Sequence, residues 1–299
     1  MGVPSRYILH QLPVIGAMGH TVLSAVALKA LGKTAPPPDL PGPELRRQLP
    51  PRPRELVRTY VRHVGGDPSA YRKTLPPHLF PQWGFPLAAK TTLGLDYPLE
   101  RIINAGCSID VREPLPNDQP LDVSARLEGI DDNGARAIFN YRIATGTRSA
   151  PEALVGHIFA LVPLSRKKKG PKKEPVRIPT DAQEIAYQRL GPKAGLDFAK
   201  LTGDFNPVHW IVPYARAFGF RSTILHGFAT MARAWEALAR GHLSGATESI
   251  QRLEGKFTRP LTLPAKVGVY LADGDRLFIG DAPGSRPYLD ATYRLGPGA

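Results

Sequence analysis

An internal repeat constrains the fold of this chain more than any single motif. Two breaks set it up: a proline-rich stretch at residues 35–43 (APPPDLPGP) and a run of six positive charges around a Gly-Pro at residues 166–173 (RKKKGPKK). They mark out an N-terminal helix and connector (residues 1–45), a first body segment (46–165), a basic linker (166–174) and a second body segment (175–299). Two segments of similar length invite a search for self-similarity before any other reading. In the second, Ile224-Leu225-His226-Gly227-Phe228 opens a helical run with Met231, Ala234, Trp235 and Leu238 on one face. In the first, residues 79–85 (LFPQWGF) open a similar stretch through Ala89.

Farther along, residues 108–115 (SIDVREPL) and 256–261 (KFTRPL) each end in a proline that suits a strand boundary. A hairpin pattern follows each. Val123, Ala125 and Leu127 alternate with polar residues before the Asp131-Asp132-Asn133-Gly134 turn; Val267, Val269 and Leu271 precede Asp273-Gly274-Asp275. Both halves therefore read as a helix followed by an antiparallel meander. The expected class is α+β, each sheet packed on its own central helix.

Composition narrows the partners. Lys plus Arg is 39 against 26 Asp plus Glu, a net charge of +13, which suggests an anionic partner. The single cysteine, Cys107, excludes an internal disulfide framework and any multi-cysteine metal site, and fits a reducing, cytoplasmic setting. No zinc finger, RNA-binding aromatic motif or helix-turn-helix accompanies the charge, so nucleic acid is not the expected partner. No glycine-rich phosphate loop is present either. Residues 12–28 (LPVIGAMGHTVLSAVAL) are almost uncharged and end near a small-x-small pattern, as in a cleavable leader, yet Pro13, Gly16, Gly19 and His20 dilute the run. The preferred reading is a docking helix with Ile8, Leu12, Ile15, Val22 and Val26 on its buried face, and membrane association is not expected.

The chemistry concentrates in Gly203-Asp204-Phe205-Asn206-Pro207-Val208-His209. Asn206 is a good N-cap and Pro207 a good first helical residue, which places His209 in the first turn of a short helix. The positive helix end there favours the neutral imidazole, able to accept a proton. Asp204 precedes the cap and can fold back toward His209, giving an acid/base pair around one water or hydroxyl. Gly227, at the entry to the long helix, offers an N–H to an oxygen gaining negative charge. The bland alternative is a turn aspartate and a core histidine. A metal is not expected, because Asp-x-Asn-x-x-His supplies few ligands.

The run GDFNPVH, with Ala217-Phe218-Gly219-Phe220 and then Ile224-Leu225-His226-Gly227 downstream, resembles the MaoC-like, or hydratase 2, branch of hotdog-fold enzymes. These are (R)-specific enoyl-thioester hydratases and 3-hydroxyacyl-thioester dehydratases. The resemblance implies a tandem (double) hotdog, with Asp204 and His209 as a catalytic dyad, Asn206 ordering the loop and Gly227 binding the thioester carbonyl. It implies a hydro-lyase of fatty-acid metabolism acting on coenzyme A or acyl-carrier-protein thioesters, with no cofactor beyond the substrate's own carrier. A homodimer is compatible with it, since hotdog sheets commonly pair. A hotdog thioesterase and a non-catalytic acyl-thioester-binding subunit are the rival expectations. In the first half, Gly66-Asp67-Pro68-Ser69-Ala70-Tyr71 stands against the catalytic run, one residue shorter and with tyrosine in place of histidine. That half is expected to be degenerate and to shape the acyl site rather than catalyse.

Overall fold

The computed structural model describes residues 2–16, 19, 23, 24, 27, 31, 32, 39–164 and 174–297. The basic run at 166–173 and the expected helix positions Val22 and Val26 lie outside the described residues. The first half comprises β1 (Leu45–Leu49), α1 (Arg54–His63), α2 (Pro81–Lys90), β2 (Ile103–Val111), β3 (Leu121–Asp132), β4 (Arg136–Gly146) and β5 (Leu154–Pro163). The second comprises β6 (Gln183–Leu190), α3 (Ala194–Thr202), α4 (Val212–Ala217), α5 (Gly227–Gly241), β7 (Ile250–Phe257), β8 (Ala265–Ala272), β9 (Arg276–Gly280) and β10 (Leu289–Leu295).

The strands form from period-2 burial. Leu121, Val123, Ala125 and Leu127 of β3 face inward against Phe139, Tyr141 and Ile143 of β4. Their hairpin closes where Asn133 Oδ1 accepts from the Ala135 and Arg136 N–H groups. Helix α5 is the apolar axis of the second half, with Met231, Ala234, Trp235 and Leu238 all buried. The shorter α2, interrupted by Pro86, is its counterpart in the first.

Each half contributes an antiparallel sheet, and the two join into one ten-stranded sheet in the order β1-β3-β4-β5-β2-β7-β10-β9-β8-β6. The seam is β2 against β7, with Cys107 opposite Gly255 and Asp110 opposite Arg252, whose guanidinium donates to the Asp110 carboxylate. Cys107 is buried in this seam, and burial pushes its thiol well above the ordinary range. The expected order of helix then meander omits a strand at the start of each half. β1 (LRRQL) and β6 (QEIAYQRL) return to pair with β3 and β8 at the two sheet edges. As edge strands they stay half exposed and polar, so they carry no apolar alternation to read.

Backbone hydrogen bonds show how the halves correspond. Leu75 N–H donates to Leu115 O at 2.8 Å, as Leu225 N–H does to Leu261 O at 2.8 Å. Asn117 N–H donates to Lys73 O at 3.1 Å, as Leu263 N–H does to Thr223 O at 2.8 Å. The match is therefore Leu75 with Leu225, Pro76 with His226 and Pro77 with Gly227. This corrects the sequence alignment, which set residues 79–85 against that helix entry. The first half opens with a 3-10 turn (Pro77–Leu79) before α2, and the turn hid the register.

The cap gives a second correction. Asp67 caps the turn Pro68–Tyr71 by accepting from Ser69 N–H at 2.9 Å, as Asn206 caps Pro207–His209. Asp67 thus stands where Asn206 does, not where Asp204 does, and the third residue beyond the cap is Ala70, not Tyr71.

The N-terminal segment docks on a different face from the one expected. Val3, Tyr7 and Gln11 are buried, whereas Leu12 is 56% exposed and Ile8 and Ile15 are only partly covered. Residues Ser5–Gln11 form a 3-10 helix, and the inward side chains are Val3, Tyr7 and Gln11 rather than the expected apolar set. Among the described residues no helix is long and apolar enough to cross a membrane.

Candidate active site

The candidate acid/base loop sits between the end of α3 and the start of α5. Helix α3 ends at Gly203, whose φ of 84° is the left-handed conformation that closes a helix, and the chain reverses directly into Asp204. The loop is then pinned at short range. Asp204 Oδ1 accepts from Asn206 N–H at 3.3 Å, Asn206 Oδ1 accepts from Val208 N–H at 3.2 Å, and Trp210 Nε1–H donates to Phe205 O at 3.1 Å.

His209 is buried, and its Nδ1 lies 2.9 Å from Ile224 O. A carbonyl can only accept, so Nδ1 carries the proton and Nε2 is left with the lone pair. Burial lowers the His209 pKa from its ordinary value, against the opposing pull of Asp204 and the Ile224 carbonyl. Burial, rather than the helix end invoked from sequence, is thus the leading influence toward a neutral imidazole.

His226 completes the arrangement. Its ring stacks on His209 with centroids 3.5 Å apart and planes 26° apart, and its Nε2–H donates to Asp204 O at 2.9 Å. Burial, and then the neighbouring His209, lower its pKa to about 3, so it stays neutral. It is the N-cap of α5 and immediately precedes Gly227. Gly227 opens the helix, so its N–H has no carbonyl one turn earlier. A Cβ there would stand 2.6 Å from the Phe257 ring, so only glycine leaves this entry unobstructed.

The structure brings Asp204, His209 and the helix entry at Gly227 together, with Asn206 as the cap that shapes the loop. His226 has no sequence signal beyond the His-Gly step, because its link to Asp204 spans 22 residues. Asp204, His209 and His226 offer ligand atoms within 4.8 Å of one another. Two stacked rings, however, hold their lone pairs in near-parallel planes that do not converge on one ion. The geometry suits proton transfer to and from a small polar molecule better than metal coordination.

Fold and site together define a double hotdog with one acid/base loop. Residues 169–276 match the family model described as MaoC like domain. The match to that domain is confined to the second half of the chain and its preceding linker. The chain is 25% identical over 218 residues to 3-hydroxyacyl-thioester dehydratase X of Mycobacterium tuberculosis, a match covering 70% of this chain and 75% of that protein. It is 24% identical over 185 residues to the peroxisomal enoyl-CoA hydratase 2 of Arabidopsis thaliana, covering 55% of this chain and 57% of the plant protein. Among solved structures, HtdX of Mycobacterium tuberculosis superposes with a TM-score of 0.67 at 22% identity, covering 85% of this chain and all of that one (100%). A second mycobacterial protein, described as having a double hotdog fold, superposes at 0.56 with 14% identity, covering 85% and 95%. These structural likenesses establish the fold.

Proposed function

We propose that this chain is an acyl-thioester hydro-lyase: it adds water reversibly across a trans-2-enoyl thioester to give the (R)-3-hydroxyacyl thioester, and dehydrates in reverse. The observation that carries this reading is the His209 tautomer. With Nδ1–H committed to Ile224 O, Nε2 is a neutral base beside the Asp204 carboxylate, at the start of α5. That set matches what hydration needs and goes with the names of the relatives, one a dehydratase and one a hydratase.

In hydration, Asp204 and His209 hold one water between them. His209 Nε2 takes its proton as the oxygen bonds to C3, and the C2–C3 π electrons move toward the thioester carbonyl. The enolate-like oxygen accepts from the Gly227 N–H. The dyad returns a proton to C2, so the net change is addition of one water. The thioester itself acidifies C2, and these steps use only the chain's own residues and the carrier-bound acyl group. His226 positions rather than reacts: it holds the Asp204 carbonyl and forms a floor beneath the His209 ring.

The first half does not offer a second such site. By the matched hydrogen bonds and caps, Ala70 replaces His209, Pro76 replaces His226, and Pro77, with no N–H, replaces Gly227. Among the described residues, one chain thus carries one such site. The test is loss of conjugated-enoyl absorbance when purified protein meets a short or medium enoyl-CoA, and the same enoyl group on a carrier protein. Release of free thiol without hydration would overturn the reading in favour of a thioesterase.

A further inference from the structure

We infer that the N-terminal segment is a strap that fixes the catalytic loop, with Gln11 as its positioning residue. This deepens the hydro-lyase reading and rests on Asp204 and His209 carrying the reaction.

Gln11 is wholly buried, which is unusual for an amide side chain unless its groups are satisfied. Its Nε2–H donates to Leu201 O at 2.9 Å, and its Oε1 accepts from Gln82 Nε2–H at 3.0 Å. Leu201 lies in the last turn of α3, where carbonyls lack an intrahelical partner. Gln82 lies on α2 of the first half. One side chain thus ties the end of the helix that launches Asp204 to the core of the other half. Next to it, Val14 and Gln11 pack over Gly203: a Cβ on that glycine would stand 2.7 Å from Val14 and 3.4 Å from Gln11. Gly203 is the turn through which the chain enters Asp204.

The rest of the segment is tied down along the same line. Val3 N–H donates to Asp197 Oδ1 at 3.1 Å and Lys200 Nζ donates to Val3 O at 2.8 Å, both on α3. Tyr7 and Thr59 share a hydroxyl hydrogen bond of 2.8 Å on α1, and Arg6 pairs with Glu55 there. Docking therefore clamps α3 against α1 and α2. Dyad geometry is sensitive to such support, because a displacement of about 1 Å costs up to about 100-fold in rate.

The decisive comparison is Gln11→Leu against Leu12→Ser on the exposed face, with thermal unfolding confirming that each folds. The strap predicts that Gln11→Leu lowers kcat by about 10- to 100-fold while KM changes by less than about 3-fold. It further predicts faster amide exchange confined to residues 201–206, and an acid limb of the rate profile shifted upward as water reaches His209. Leu12→Ser should match wild type. Should Gln11→Leu fail to fold, Gln82→Leu, which keeps the Gln11–Leu201 bond, is expected to show the same changes at smaller size. Wild-type exchange and kcat in a folded Gln11→Leu would overturn the strap, as would exchange that rises uniformly across the chain. Absence of any turnover by wild type would instead defeat the hydro-lyase reading, while the exchange arm still decides the strap.

Discussion

At the scale of single residues, the proposed site would work by keeping two imidazoles neutral for different purposes. His209 needs a free Nε2, and its lowered pKa places the acid limb of the hydration rate below the ordinary imidazole value of about 6.5. A rate profile in which activity already falls by half at or above that value would contradict this placement. His226 needs to stay neutral to hold the loop, and it has a stability consequence. Its folded pKa, about 3, is below the ordinary value, so the unfolded state binds the extra proton. Its contribution is fully present above about pH 6.5 and is lost as pH falls from there toward about 3, at a slope approaching 1.4 kcal/mol per pH unit. Urea unfolding across that window should show the slope in wild type and a flatter one in His226→Gln. Asp204, Asn206 and His209 were legible because their relation is local: a cap, a proline and a first turn within six residues. His226 was less so, because its hydrogen bond and its ring stack cross between elements.

At the scale of elements, the entry to α5 decides where charge can develop. Both Gly227→Ala and Gly227→Pro place a carbon where the Phe257 ring now packs, but only proline removes the N–H. His226 already has the extended backbone (φ −60°, ψ 140°) that a following proline requires, so Gly227→Pro should still fold. If Gly227 binds the developing oxyanion, kcat for Gly227→Pro falls about 100- to 1,000-fold below that of Gly227→Ala. Equal rates for the two would remove Gly227 from that role. The central helix α5 was readable from its apolar periodicity because it is long and buried. The edge strands β1 and β6 were not, because sheet edges favour the polar, half-exposed residues that also make loops.

At the scale of the whole molecule, a side chain of the second half packs against the shortened loop of the first. In the first half a single residue, Gly66, stands between the helix-closing Gly65 and the capping Asp67, where the second half has Asp204-Phe205. The Glu236 carboxyl of α5 packs against Gly66, and a Cβ there would stand 2.3 Å from it. Glu236 Oε1 lies 2.9 Å from His78 Nε2, with both side chains 1% exposed, and His78 Nδ1 lies 3.0 Å from the Tyr60 hydroxyl. This pair joins the two halves across 158 residues. Breaking it with His78→Leu leaves a buried carboxyl without its partner and should cost about 3–5 kcal/mol, read by urea unfolding. The double variant His78→Leu/Glu236→Leu should recover part of that loss; a strictly additive double would deny the coupling. The repeat was legible in the sequence. The Glu236–His78 contact was out of reach, because Glu236 on the helix face gave no sign of which distant histidine it meets.

Whether one dyad on one half carries hydration of an enoyl thioester is decided by following enoyl absorbance with wild type, Asp204→Asn and His209→Ala on the same coenzyme A and carrier-protein substrates. Wild type should turn over, and each variant should lose at least about 100-fold in kcat with unchanged unfolding curves. Full activity in either variant, or no hydration by wild type on any enoyl thioester, would contradict that role for the dyad.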